Sequence, residues 1–334
     1  MTRKSKAVIN ALKAGNEADR ECPLYRNNEK KGALSIMGTV NQTEQELMGY
    51  ISEHKIRNTH SHHLPEQAAL DFNLDKLINN TYLQWMQITP GSTAESRSAY
   101  LEKVRYKSFF AWLQKSVQEL YGISDPITAG NWDSISDQIS KAHQNPAFYM
   151  DVLKNKCKYQ NIIVDTYWNP GSDNGRPELF TPSFRLDLFF LGYKKGLRNH
   201  DGVSLEERFG EFPDNLQDYV EWVKTWIIRK KNAGCVALKI ALAYERDLHF
   251  EQVTQEQAER VFRVKESDIT QEDIRYFQNY LFWKICEIAA ELSLPLQCHT
   301  GMGQITNTNI LQLNDVIKSN PDTKFVLLHC GFPW

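Results

Sequence analysis

Lys55-Ile56-Arg57-Asn58-Thr59-His60-Ser61-His62-His63 places two imidazoles two residues apart at the end of a short extended run. Successive side chains of a strand alternate faces, so His60 and His62 point the same way, with Cα atoms roughly 6.5–7 Å apart and both rings within reach of one cation. His63 then points away. The fold turns on whether later stretches repeat this arrangement of a strand ending on a titratable residue.

They do. Asn161–Trp168 is an apolar run that stops in Asn169-Pro170-Gly171, turn chemistry after a strand. Phe184–Gly192 reads as another strand, with the charges of Arg185 and Asp187 on one face. Cys235–Leu242 carries Lys239, Pro295–His299 is broken by Thr300-Gly301-Met302-Gly303, and Lys324–His329 ends on a histidine. With the opening stretch these make six strands. Helices separate the later ones. Leu216–Lys231 has Tyr219, Val220, Val223, Trp226 and Ile227 on its inner face and closes in Asn232-Ala233-Gly234. A second runs to about Leu292 from a capping box of Thr270 and Asp273, and a third lies near Asn309–Ser319. The charges of Glu256, Glu259, Arg260 and Arg263 form a solvated helix face.

Strands separated by helices, with polar or titratable residues at their C-terminal ends, argue for a parallel sheet with helical crossovers. The expected class is α/β: a distorted (β/α)8 TIM-like barrel represented by about six of its eight strands. A doubly wound open sheet is the alternative, but no Gly-rich phosphate loop follows its early strands. Two strands short at Trp334, the chain reads as part of a longer polypeptide.

Residues 1–54 read as a lead-in, irregular over Gly15–Val40, followed by a helix marked by Glu44, Leu47, Tyr50 and Ile51. Residues 55–334 form the barrel, with a helical insertion over about 66–157. Leu70, Leu74, Leu77 and Ile78, then Tyr100, Val104, Phe109, Trp112, Leu113 and Val117, then Phe148, Tyr149 and Val152 supply packing faces for that lobe.

Lys and Arg number 39 against 41 Asp and Glu, so no positive surplus steers the chain to nucleic acid or anionic lipid. The N-terminus is basic but lacks the apolar core of a secretory signal, and no run approaches the roughly 20 apolar residues that span a bilayer. The expectation is a cytoplasmic protein whose partner is a small-molecule substrate, with a homo-oligomer compatible. Cys22, Cys157, Cys235, Cys286, Cys298 and Cys330 are widely spaced and read as buried reduced thiols rather than a thiolate metal site.

His60 and His62 on the first strand, His299 on the fifth and His329 on the sixth all fall at strand C-termini. A hydrolytic metal needs neutral imidazoles or carboxylates on a rigid frame with one position open, so that bound water is acidified toward a pKa of roughly 7. Strand ends supply that frame. A further histidine near the ion suits proton transfer at neutral pH. Arg185 and Arg246 are candidates to clamp a substrate carboxylate, with structural salt bridges to Asp187, Glu245 or Asp247 as the alternative. Trp168 and Tyr244 either wall the pocket or pack.

Thr59-His60-Ser61-His62, Leu238-Lys239-Ile240, Gln297-Cys298-His299-Thr300-Gly301 and Leu328-His329-Cys330-Gly331-Phe332-Pro333 together resemble the amidohydrolase superfamily. The resemblance runs from about Ile56 to the C-terminus and is nearest the branch that holds metal-dependent hydrolases and decarboxylases. It implies a divalent metal, most often zinc, held by His60, His62 and His299. It makes His329 either a further ligand or the residue that polarises substrate and moves protons, and the second part is favoured. Lys239 stands where some relatives carry a carboxylated lysine bridging two metals; an ordinary lysine is favoured, hence one ion rather than two. The family completes its site with an aspartate after the eighth strand, beyond the present chain. The implied activity is hydrolysis of a C–N or C–O bond in a small polar substrate through metal-activated water. Decarboxylation of a small carboxylic acid is the alternative, and a catalytically inactive metal-binding barrel fragment the third reading.

Overall fold

The computed structural model describes residues 42–334, so the predicted lead-in and Cys22 lie outside the described residues. The chain divides between His54 and Lys55. Of the first unit the described part is helix α1, Gln42–Glu53, where Leu47, Tyr50 and Ile51 recur at helical spacing.

In the second unit six parallel strands pair in chain order: β1 Ile56–Ser61, β2 Tyr159–Val164, β3 Phe180–Arg185, β4 Ala237–Ile240, β5 Leu296–His299 and β6 Phe325–Leu328. Parallel neighbours need crossover connections, and the sheet curls as a partial TIM barrel. Register sets the interior. Arg185 is opposite Lys239 and Lys239 opposite Gln297, so a polar row crosses β3, β4 and β5 at one level. The Gln297 amide donates to the Thr59 carbonyl at 3.0 Å, which ties β5 to β1.

The insertion after β1 includes α2 Ala94–Val104, α3 Ser108–Tyr121 and α4 Trp132–His143. It has its own core, with Leu74, Ile78, Tyr100, Val104, Phe110, Val117, Trp132, Ile135 and Ile139 buried together. Two aromatic residues expected on that packing face, Phe109 and Trp112, are instead 46% and 66% exposed. Phe110, one residue on from Phe109, turns inward in its place, because α3 starts at Ser108 in a new phase after the break following α2. After α4 the helical chain is interrupted at Asn145-Pro146 before it resumes at Phe148, since proline cannot continue the ladder of its predecessor.

α5 Leu216–Asn232, α6 Gln255–Arg263, α7 Gln271–Glu291 and α8 Asn314–Ser319 follow β3, β4 and β5. α5 buries Tyr219, Val223 and Ile227, with Val220 and Trp226 partly buried beside them. α7 opens on the predicted capping box, the Thr270 hydroxyl accepting from Asp273 N–H while the Asp273 carboxylate accepts from Thr270 N–H. Its Phe277, Leu281, Phe282 and Ile285 are fully buried against the sheet. Each such side chain contributes about 1.5–3 kcal/mol of hydrophobic stabilisation.

β3 departs from expectation. The strand runs over Phe180–Arg185, and Asp187–Leu191 form a 3-10 turn where the sequence had suggested extended chain to Gly192. The Asp187 carboxylate accepts the Ala241 N–H after β4, which folds the chain back at that point. Gly192 completes the turn: a Cβ there would stand 2.0 Å from Tyr219 Oη, whose hydroxyl donates to the Phe189 carbonyl at 2.6 Å.

Cys235, Cys286 and Cys298 are buried free thiols, as expected. Cys157 is only half-buried and Cys330 is exposed, because Cys330 falls in the turn after β6 rather than in the strand. Among the described residues, no helix is long and apolar enough to cross a membrane.

Candidate active site

The C-terminal ends of the strands bring His60, His62, Asp165, Arg185, Lys239, His299 and His329 together. β1 carries a bulge: between the pairs Asn58–Ile162 and Ser61–Val164 it advances three residues against two on β2. The extra residue would leave a backbone N–H unpaired, and the Asn58 side chain takes that of His60 at 3.1 Å. Bulge and alternation together leave the His60 and His62 rings 5.0 Å apart and nearly perpendicular. His63 faces away against Phe180, with Ser61 Oγ 3.0 Å from its Nε2.

Ring contacts continue from His60 to His329 at 5.9 Å and from His329 to His299 at 4.3 Å. Tyr244 lies against His299 at 4.6 Å and so walls this row, whereas Trp168 packs edge-on to Tyr167. The loops bearing the last two histidines are pinned together. Thr300 Oγ1 donates to the Leu328 carbonyl and accepts from Gly331 N–H. Gly301, at φ +73°, lies so close to the Phe332 carbonyl that a Cβ would stand 1.8 Å from its oxygen.

Sequence reasoning missed Asp165. It follows β2 directly, is wholly buried, and neither carboxylate oxygen has a hydrogen-bond partner. Lys239 Nζ, Arg185 Nη1 and His62 Nδ1 all stand 3.9 Å from its Oδ2. Lys239, 1% exposed, also reaches His60 Nε2 at 3.5 Å. Burial pushes the lysine down to about 8, partly opposed by Asp165. Arg185 donates through Nε to Asp187 at 2.6 Å, and its Nη2 is 3.3 Å from His200 Nε2 and 3.8 Å from Asp201. Burial opposes its charge, but Asp187 and Asp165 more than compensate and raise its pKa.

Arg246 is placed differently. Its guanidinium bonds Gln278, Asn279 and the His249 carbonyl, meets Asp247, and stacks over Phe250 at 4.6 Å. This is the structural pairing that stood as the alternative for that residue.

The donor set suits a divalent cation. Burial, then Lys239 and the neighbouring imidazoles, pushes His60 down to about 2; burial, then Lys239 and His329, takes His299 down to about 3. The rings are therefore neutral at pH 7, the form that ligates. His62 Nδ1 donates to the Asp165 carbonyl at 2.7 Å, which leaves Nε2 as the lone-pair nitrogen. His60 Nδ1 and both Asp165 oxygens are buried without partners. Around them, the carboxylates of Asp165, Asp187, Asp201 and Glu245 outnumber the cations of Arg185 and Lys239. Among the described residues, no three His, Cys, Asp or Glu side chains already stand in chelating geometry. His299 has both nitrogens engaged, Nδ1 with His329 and Nε2 with the Met302 carbonyl, so ligation requires exchange of one of those bonds.

Those low imidazole pKa values make acid stability a test of the site. Free histidine protonates near pH 6.5, so below that value the unfolded chain binds protons that His60 and His299 refuse. Stability of metal-stripped protein is then lost as pH falls below about 6.5, at a limiting slope of about 2.7 kcal/mol per pH unit for the two groups together. Urea midpoints at pH 7 and 5 should differ accordingly, and the difference should shrink in a His60→Gln, His299→Gln double variant. Equal pH dependence in the two proteins would mean that these rings protonate freely in the folded state.

A curled parallel half-barrel with imidazoles, a buried lysine and a buried carboxylate at its strand ends defines a partial TIM barrel with a polar strand-end site. The amidohydrolase family model matches residues 227–334, which hold Lys239, His299 and His329. Together with the fold, this match over residues 227–334 supports a place in the amidohydrolase superfamily. A uronate isomerase of Bacillus velezensis is 24% identical over 213 residues, covering 60% of this chain and 44% of the relative. The chain thus spans under half the length of that curated relative. Uronate isomerase of Thermotoga maritima superposes with a TM-score of 0.63 at 16% identity, over 84% of this chain and 72% of that one. A putative metal-dependent hydrolase of Lactobacillus casei gives 0.58 at 18%, over 86% and 70%. Glucuronate isomerase of Caulobacter crescentus gives 0.61 at 13%, over 87% and 72%.

Proposed function

We propose that this chain carries the strand-end site of a metal-dependent enzyme that isomerises a small hydroxylated carboxylic acid, a uronate or a close analogue. The observation that carries the reading is the buried group of Arg185, Lys239 and Asp165 beside neutral imidazoles, a site that can hold a cation, an anionic substrate and a developing oxyanion together. The similarity to a curated uronate isomerase supports the substrate class.

In this reading His60, His62 and His299 hold one divalent ion, zinc in the first instance, which when bound supplies Lewis acidity to a substrate oxygen. Lys239 supports negative charge on that oxygen from the floor of the site. Arg185 binds the substrate carboxylate: its Nε is committed to Asp187, but Nη1 has only the 3.9 Å approach to Asp165 and retains donor capacity. His329, held neutral by burial and then by Lys239, hydrogen-bonds a substrate oxygen. Tyr244 forms a wall. Arg246, with its donors occupied, takes no substrate role.

Hydrolysis of a C–N or C–O bond is the second reading. It is favoured by His329 itself, a neutral and only half-buried imidazole able to accept a proton from water. The two separate on one experiment. Zinc-loaded protein is incubated with glucuronate, and in parallel with amide, ester and lactone panels, and products are followed by proton NMR. Conversion of glucuronate to the corresponding keto acid, abolished by a chelator, is the expected result. Cleavage of a panel substrate without any isomerisation would overturn the first reading in favour of the second, and carbon dioxide release in place of either would favour decarboxylation.

A further inference from the structure

The chain leaves β2 through a turn built to hold two aromatic residues in place. The Asn169 N–H donates to the Thr166 carbonyl at 2.9 Å, and the hydroxyl of the wholly buried Thr166 donates to the Asn169 carbonyl at 2.6 Å. Tyr167 and Trp168 are the two residues between. A turn closed twice leaves its central residues little freedom, so the Tyr167 ring is positioned before any ligand arrives. Three neighbours hold that ring: Trp168 edge-on at 4.7 Å, His62 edge-on at 5.8 Å, and the Arg185 guanidinium, whose Cζ lies over it at 5.6 Å. The residue is nevertheless 39% exposed, and among the described residues its hydroxyl has no hydrogen-bond partner. Elsewhere tyrosine hydroxyls tie segments of the chain together, Tyr149 donating to the Leu64 carbonyl at 3.0 Å and Tyr219 to the Phe189 carbonyl at 2.6 Å. The Tyr167 hydroxyl has no such task within the described residues, and it stands beside the guanidinium that takes a substrate carboxylate.

We propose that Tyr167 is a specificity-determining residue that selects hydroxylated carboxylates over plain ones, its hydroxyl donating to a substrate hydroxyl while its ring supports the carbon chain. The proposal rests on the reading of the site, given above, as a receptor for a hydroxylated carboxylic acid. Arg185 is the anchor. Its Nε is taken by Asp187, and its Nη2 meets His200 at 3.3 Å, a ring itself held by Glu245 at 3.0 Å, which leaves Nη1 as the donor open to a carboxylate. A carboxylate received at the edge of a guanidinium lies near its plane. The carbon chain behind it then passes the aromatic ring that lies against that guanidinium. Tyrosine suits such a chain, because its face meets C–H groups and its hydroxyl meets O–H groups.

Tyr244 does not compete for this part. Its ring lies on the imidazoles of His299 at 4.6 Å and His200 at 4.8 Å, along the histidine row rather than on Arg185. A single hydrogen bond from a neutral donor changes affinity by about 3–10-fold, and that is the selectivity the Tyr167 hydroxyl supplies.

The test measures binding of three probes to the zinc-loaded full chain by ligand-observed NMR titration. Glucuronate is the first. Gluconate carries the hydroxyls but has no carbonyl to isomerise, and hexanoate has the same carbon count and carboxylate but no hydroxyl. Tyr167→Phe, which removes the hydroxyl and keeps the ring, is expected to weaken glucuronate and gluconate by about 3–10-fold and to leave hexanoate within about twofold. In turnover of glucuronate it should raise KM and leave kcat within about twofold, the mark of a contact made equally in ground and transition states. Tyr167→Leu, which removes the ring as well, should weaken all three probes, with zinc content and far-UV circular dichroism of both variants matching wild type. Equal affinity of wild type and Tyr167→Phe for gluconate would overturn the proposal, as would wild type that binds hexanoate as tightly as gluconate. Parallel weakening of hexanoate in Tyr167→Phe would also overturn it, by placing the effect in the packing around Arg185. Wild type that binds none of the probes would overturn the carboxylate site and the proposal together. Glucuronate left unconverted by wild type, with gluconate still distinguishing the two proteins, would sink the isomerase reading and leave the selectivity of Tyr167 standing.

Discussion

Zinc-loaded, desalted His60→Ala protein is expected to retain less than about a tenth of the metal held by wild type. His60 contributes a neutral imidazole from a bulged, side-chain-braced position and has a buried nitrogen with no protein partner. Even groups behind the ligands change metal affinity by about 10–100-fold, so loss of a ligand should exceed that. His62→Ala is expected to behave alike, because its tautomer is fixed by the Asp165 carbonyl. His299→Ala should weaken binding less, since in the described geometry both of its ring nitrogens are already bonded. His329→Ala should retain the metal. Elemental analysis after gel filtration, with far-UV circular dichroism to establish folding, measures all four. Unchanged metal content in both His60→Ala and His299→Ala would defeat the ligand assignment.

What could be read from the chain beforehand, and what could not, follows one physical division. Features that rest on local pattern were readable. The Thr270–Asp273 capping box, the closing Asn232-Ala233-Gly234 of α5 and the histidines at the ends of β1, β5 and β6 each declare themselves within a few residues. Features that rest on tertiary pairing were not. Asp165 looks like any carboxylate after an apolar run; its significance comes from Lys239 and Arg185, brought to it by the register of strands far apart in sequence. His200 and Glu245, 45 residues apart, lie in loops with no periodicity to mark them. The end of β3 was misplaced for the same reason. Phe184–Gly192 alternates well enough to be a strand, and what stops it is the bond from Asp187 to Ala241 N–H, invisible locally. A partial signal for Asp165 did exist, since every other strand-end position of chemical interest was polar.

Asp187→Ala is expected to destabilise the protein by about 4 kcal/mol, the largest stability loss of any single change at the site. Its side chain is 2% exposed and does two things. Oδ2 accepts from Arg185 Nε at 2.6 Å, and Oδ1 accepts from Ala241 N–H at 2.7 Å. Deletion leaves a buried guanidinium without its one short carboxylate bond, a loss of about 3–5 kcal/mol in comparable buried pairs, and also strands a buried N–H. Asp165 at 3.9 Å and Asp201 at 3.8 Å are too distant to hydrogen-bond Arg185 in its place, although they soften the loss. Against a total stability of about 5–15 kcal/mol, such a deficit shows directly as a lower urea midpoint. Asp187→Asn should lose about half as much, because its oxygen still accepts from Ala241 while its amide opposes Arg185. An Arg185→Met, Asp187→Ala double variant should recover part of the deficit, since the unpaired charge is then gone. A loss below about 1 kcal/mol in Asp187→Ala would mean that Asp165 and Asp201 alone hold the guanidinium, and a double variant no more stable than Asp187→Ala would place the loss in the backbone bond to Ala241 instead.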